Sequence, residues 1–218
     1  LLLDEQQPGS LPQTLQRLGQ AAEQLKDRWA PDASRVLDEI GQRLVQAQGL
    51  SPQALGAAEE ALDPLITALL TFSGLSLESM TREQGWRFLM IGRRLERAQG
   101  TATLLLETLA EASDSAAEPL LLESLLRAHD SVMTHRRRYR ALLDPASFLE
   151  VLLLDEQNPR SVAFPLLALE ALLQALPRSR PGLAPAQRAL LEVRTALRLA
   201  EAQALAPQPV TRRAESRQ

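Results

Sequence analysis

One carboxylate is set apart by the small residues around it. Gly85, Gly92, Glu96, Gly100 and Thr103 fall within a narrow arc of a helix that turns about 100° per residue. Each glycine inside a helix costs about 1 kcal/mol relative to alanine, so three in one arc point to a second backbone lying close against them. The Glu96 carboxylate is then expected in a crowded, poorly solvated place, where it needs a cation beside it. Arg93, one turn earlier, is one donor. Arg136 is another, because it stands on the apolar stripe Leu125, His129, Val132, Arg136, Tyr139, Leu143. Arg160, next to Asn158-Pro159, is the third. Arg97 lies about 100° round the helix from Glu96; with Arg137 and Arg138 it is assigned to contact with an acidic substrate, a peptide carboxylate or a partner surface. Two chemistries follow: an interior ion network, or Glu96 as a general base with the arginines orienting an anionic substrate.

Other chemistry-bearing residues have plainer readings. Asp155, Asn158 and Ser161 end one helix and cap the next, and only Arg160 in that run lacks a capping role. His129 reads as a core histidine and His135 as a solvated neighbour of the arginines. Trp86, near the start of a long helix, reads as a packing anchor, with stacking on a ligand as the alternative.

The elements that must hold these residues are helices. The chain is rich in leucine and alanine, has 3% aromatic residues and lacks β-branched runs, which suits helices and starves sheets. The expected class is all-α, with helices at 11–29, 32–48, 52–72, 78–111, 117–143, 145–157, 160–176 and 185–205. Asp144-Pro145 and Asn158-Pro159 each read as an N-cap followed by proline in the first turn. On the fourth helix the buried stripe is expected to be Phe88, Ile91, Leu95, Ala98, Ala102, Leu105 and Leu109. Residues 206–218 have no periodicity and are expected to lack fixed structure.

The opening LLLDEQQPGS recurs as LLLDEQNPRS at 152–161, and the leucine pattern after it continues in step. The spacing implies a duplicated helical unit: residues 1–72 the second half of one unit and 75–205 both halves of another, within one helical bundle at 1–205 whose first unit is incomplete. A further Gly-Arg-x-x-Glu-Arg-Ala-like helix is expected upstream of Leu1.

Trp86-x-Phe88-Leu89-x-x-Gly92-Arg93-x-Leu95-Glu96-Arg97-Ala98 resembles the signature of the alpha-E family, bacterial helical domains named for a conserved Glu-Arg motif. Arg137-Arg138-Tyr139 and Leu152-Leu153-Leu154-Asp155 with Asn158-Pro159-Arg160-Ser161 are similar to that family's pattern too. The resemblance covers nearly the whole chain. It implies association with circularly permuted ATP-grasp and transglutaminase-like proteins, and so a role beside a peptide ligation or modification system. No phosphate-cradling glycine loop is present, and Lys26 is the only lysine, so ATP chemistry would belong to a separate protein or domain and no cofactor is expected here.

Composition narrows the classes further. A net charge of -3 disfavours nucleic acid and anionic membranes as partners. With no cysteine and 2 histidines, disulfides, thiol catalysis, thiolate zinc and a histidine metal site drop out. No apolar run approaches the ~20 residues of a membrane span, and a cytoplasmic location is the expectation. The reading that results is a non-catalytic helical partner or substrate-presenting domain for an ATP-grasp-type protein, contacting a peptide or acidic ligand. An enzyme using Glu96 and a self-associating scaffold are the alternatives. Its binding residues are Trp86, Arg93, Glu96, Arg97, Arg136, Arg137, Arg138, Asn158 and Arg160.

Overall fold

A computed structural model describes residues 9–48, 55–111, 118–140, 142–177 and 181–207. Every regular element among them is helical: α1 (Leu11–Gln24), α2 (Pro31–Gln48), α3 (Leu55–Glu78), α4 (Gln84–Glu111), α5 (Glu118–Ala128), α6 (Val132–Tyr139), α7 (Pro145–Leu149), α8 (Ala163–Gln174), α9 (Pro185–Leu199) and α10 (Ala202–Leu205). The all-α class read from composition is the class observed. The first copy of the repeated motif falls largely on residues 1–8, and most of the tail on 208–218, both outside the described residues.

The chain divides into two compact units, one up to Trp86 and the other from Arg87. In the first, α1, α2 and α3 close over Leu15, Ile40, Leu44, Leu65 and Phe72. Trp29 packs edge-on to Phe72 with ring centroids 5.3 Å apart, and its indole N–H donates to the Ala22 carbonyl at 3.2 Å. Helix α1 starts where expected, since the Ser10 hydroxyl accepts the Gln13 N–H at 3.4 Å and Pro12 sits in the first turn. Helix α3 runs past its expected end at residue 72. The Ser76 hydroxyl donates to the Phe72 carbonyl at 2.7 Å, so this buried polar side chain is satisfied within the helix.

The second unit centres on the segment after Asp144. Asp144 and Ser147 form a reciprocal capping box with Pro145 in the first turn, as the Asp-Pro pair predicts. Helix α7 then widens into a π-helical stretch, Glu150–Leu154. Phe148, Val151 and Leu152 on this segment are wholly buried, against Leu122, Leu126, Val162 and Leu169.

Three local expectations are overturned. The single helix at 117–143 is two helices: Asp130 takes a left-handed conformation, φ 48°, and the fully buried Ser131 follows it. The break shifts the register, so the inward positions are Leu122, Leu126, Ser131, His135 and the half-buried Tyr139, and Arg136 turns outward. Asn158-Pro159 does not open a helix. Ser161 does that work, its hydroxyl accepting the Phe164 N–H at 3.0 Å, and α8 begins at Ala163.

The third concerns α4. Its buried face carries Met90, Ala98, Thr101, Leu105 and Thr108, with Arg93, Arg94 and Arg97 half-buried beside it. Phe88 and Leu95, expected inside, are 59% and 49% exposed. The helix is thus rotated by about one residue from the apolar stripe. A buried threonine is tolerated because the helix can satisfy it, as when the Thr108 hydroxyl donates to the Leu104 carbonyl at 2.7 Å.

Candidate functional site

Helix spacing brings Arg93, Arg94 and Arg97 of α4 together, since positions three and four apart are neighbours on a helix surface. All three are half-buried, yet none forms an ion pair or a side-chain hydrogen bond among the described residues. The Arg94 Nε is buried without a partner. Burial holds the three guanidinium groups below the usual arginine range. Like charges then press further: Arg94 on Arg93, Arg97 on Arg94, and both Arg93 and Arg160 on Arg97. Among the described residues no carboxylate pairs with any of the three.

Arg160, on the loop between the π-helical stretch and α8, adds its charge to those bearing on Arg97. Its Nη2 lies 2.6 Å from Asp130 Oδ2, an ion pair in which Asp130 is 73% exposed. Its backbone is fixed more firmly, by an N–H donated to Asn158 Oδ1 at 3.1 Å. Asn158 is itself buried, and its amide donates to the Ser131 hydroxyl and the Val151 carbonyl, both at 3.0 Å. Asn158 is therefore a clamp joining three segments rather than a helix cap. The same loop is tied by the Ser161 hydroxyl, which donates to the Asp155 carbonyl at 2.6 Å, and by the Gln157 N–H on Asp155 Oδ1 at 2.9 Å.

Glu96, the centre of the sequence-based reading, is exposed and has no ion pair among the described residues. The interior network of Glu96, Arg93, Arg136 and Arg160 does not form. Its premise fails as well, because an added Cβ at Gly92 or Gly100 would meet nothing within 4 Å; no backbone packs on that arc, and the described structure offers no packing reason for those two glycines. The Glu-Arg pair is oriented the other way about: the Glu96 carboxylate faces water and Arg97 is half-buried.

The remaining expected residues are dispersed. Arg136 is exposed and pairs with Glu123 at 3.2 Å, sharing it with Arg127 at 2.9 Å. Arg137 is exposed. Arg138 Nη2 approaches Asp155 Oδ2 to 2.8 Å, close enough to pair but not aligned as a hydrogen bond, so that buried oxygen accepts none. Trp86, in the first unit, carries the Arg82 guanidinium 4.4 Å above its ring, while its indole N–H is buried without a partner.

The sequence reading missed four residues. Arg94 has no assigned role in the sequence reading, and Asp130 and Ser131 fall inside the helix expected at 117–143. His135 is buried rather than solvated, with Nε2 3.0 Å from the Ser147 hydroxyl. Nearby, the Tyr139 hydroxyl donates to Glu150. Burial, then that bond, push the phenol up to about 12. Among the described residues no group of three or more His, Asp or Glu is placed to hold a metal ion, and no helix is long and apolar enough to cross a membrane.

A family model described as a predicted alpha-helical domain with a conserved ER motif matches residues 1–217. Uncharacterized proteins of Mycobacterium tuberculosis and Mycobacterium bovis are each 35% identical to this chain over 202 residues, or 91% of it. The chain spans only 23% of the length of these relatives. No solved structure matches it. The family match over almost the full length leads to one conclusion: the chain belongs to the Alpha-E family.

Proposed function

We propose that this chain is a non-catalytic helical partner or substrate-presenting domain in an ATP-grasp-linked peptide ligation or modification system, located in the cytoplasm, and that Arg93, Arg94, Arg97 and Arg160 engage an anionic group of its substrate or partner. The observation that carries the binding role is the half-buried set of like charges on α4, none of them paired with a carboxylate among the described residues. Buried charges are ordinarily paired when their role is structural, and perturbed ionisable groups concentrate at functional sites. The ATP-grasp association rests on the family resemblance, and the greater length of the relatives is compatible with a module that works beside other domains.

The enzymatic alternative is the less supported, since Glu96 is exposed and makes no ion pair among the described residues. Calorimetric titration with an oligoglutamate peptide tests the proposed reading. Binding should be strong at low salt, retained by Glu96→Gln, and lost in Arg97→Met. Equal binding by Arg97→Met and the native chain would contradict it. Sedimentation of the free chain addresses the scaffold alternative, which a stable dimer without peptide binding would favour.

A further inference from the structure

The anion's chemistry can be specified further, on the premise that the arginine face does bind one. Arg93, Arg94 and Arg97 share one stretch of α4 and the charge of Arg160 bears on Arg97, and Asp130 is the one carboxylate paired with any of the four among the described residues. A single carboxylate ligand would leave most of that charge uncompensated. A phosphoryl group carries about -1.5 to -2 at neutral pH.

Direction favours the same ligand. Arg93 and Arg97 stand one helical turn apart with Arg94 beside them, whereas Arg160 comes from a different element. A planar carboxylate offers its lone pairs in one plane, which suits one guanidinium fork or two. A tetrahedral phosphoryl group has three terminal oxygens pointing in separate directions, and guanidinium forks from a helix and a loop can grip it together. The buried Arg94 Nε is a donor without an acceptor among the described residues.

The mounting of Arg160 adds a second element. Its backbone is anchored to buried Asn158, so the root of the side chain is fixed. Among the described residues its guanidinium is paired with the exposed Asp130 carboxylate alone, and exposed pairs of this kind are weak. A doubly charged ligand would displace that contact at little cost.

We propose that Arg93, Arg94, Arg97 and Arg160 form a site for a phosphoryl group, and that Asp130 acts as an internal counter-ion that occupies Arg160 until the ligand displaces it. This rests on the anion-binding reading above and assigns its ligand class.

The test titrates the full chain with inorganic phosphate at constant ionic strength, and in parallel with the oligoglutamate peptide. Arg97→Met and Arg160→Met should each weaken phosphate binding about tenfold or more, the range for losing a charge-assisted hydrogen bond. Asp130→Asn should tighten it about two- to fivefold, the range for removing an exposed competing pair. Asparagine tolerates positive φ, so that variant keeps the α5–α6 turn, and circular dichroism verifies the fold of all three. Peptide binding without phosphate binding overturns the phosphoryl assignment and leaves the broader reading standing. Binding of neither overturns both. Phosphate binding unaffected by both arginine variants places it elsewhere and overturns the site, and an Asp130→Asn variant that binds no more tightly overturns the counter-ion role.

Discussion

Replacing Asn158 with alanine probes the clamp that mounts Arg160. The amide makes three hydrogen bonds, to the Ser131 hydroxyl at 3.0 Å, the Val151 carbonyl at 3.0 Å and the Arg160 N–H at 3.1 Å. Only 5% of the residue is exposed, so water cannot easily replace the lost partners. At about 0.5–1.5 kcal/mol net for each bond, Asn158→Ala should cost about 2–4 kcal/mol, toward the severe end for a single substitution. For a chain of this size that is a fall of roughly 5–15 °C in melting temperature. Urea denaturation followed by circular dichroism reads the loss, taken on the transition of the second unit if the two units unfold separately. Ser131→Ala should be strongly non-additive with it, since the two side chains touch. A loss below about 1 kcal/mol with additive behaviour would refute the clamp.

Three further outcomes follow from the described geometry. Glu96→Gln should alter stability by less than about 0.5 kcal/mol, as for an exposed site away from special contacts, and a larger loss in urea denaturation would mean that the carboxylate has a structural partner. Burial lowers the pKa of His135 from its ordinary 6.5, against the opposing pull of Asp144. As pH falls below 6.5 the unfolded chain takes up a proton that the folded chain resists, so stability should decline there, and by less in His135→Gln; the unfolding midpoint at two pH values is the readout, and equal declines would count against it. Tyr139 is the only tyrosine, so ultraviolet difference titration reports it alone. Its midpoint should lie near 12 rather than 10.0, and stability should fall as pH rises through that interval because the unfolded chain ionises first. A midpoint near 10.0 in chain still helical by circular dichroism would contradict the Glu150 contact.

What could be read from the sequence was the chemistry that neighbours settle among themselves. Helix content follows from composition, and the Asp144-Pro145 start needs only Ser147 three residues on to complete its box. The α5–α6 break depends instead on Ser131 meeting Asn158, 27 residues away, and nothing local to Asp130 announces it. That break moved Arg136 outward and His135 inward together. On α4 the error was to let side-chain polarity decide the buried face. Threonines satisfied by their own helix and arginines with long apolar stems can lie beside a core, so Phe88 and Leu95 were free to face solvent. The Glu-Arg pair was found in the sequence, but its orientation was reversed for this reason. Arg97 depends on the rotation of the whole helix, and a glycine arc with no neighbour was a false guide to it.

The central claim is that the α4 guanidinium groups repel one another and have no counter-ion among the described residues. Arg97→Met removes one of those charges and keeps an unbranched stem of comparable length. Measured without added phosphate or peptide, its melting temperature should equal or exceed that of the native chain, because repulsion is relieved and no ion pair is lost. A fall of several degrees would show that Arg97 is a structural contact, and the assignment of the arginine face to ligand binding would not survive it.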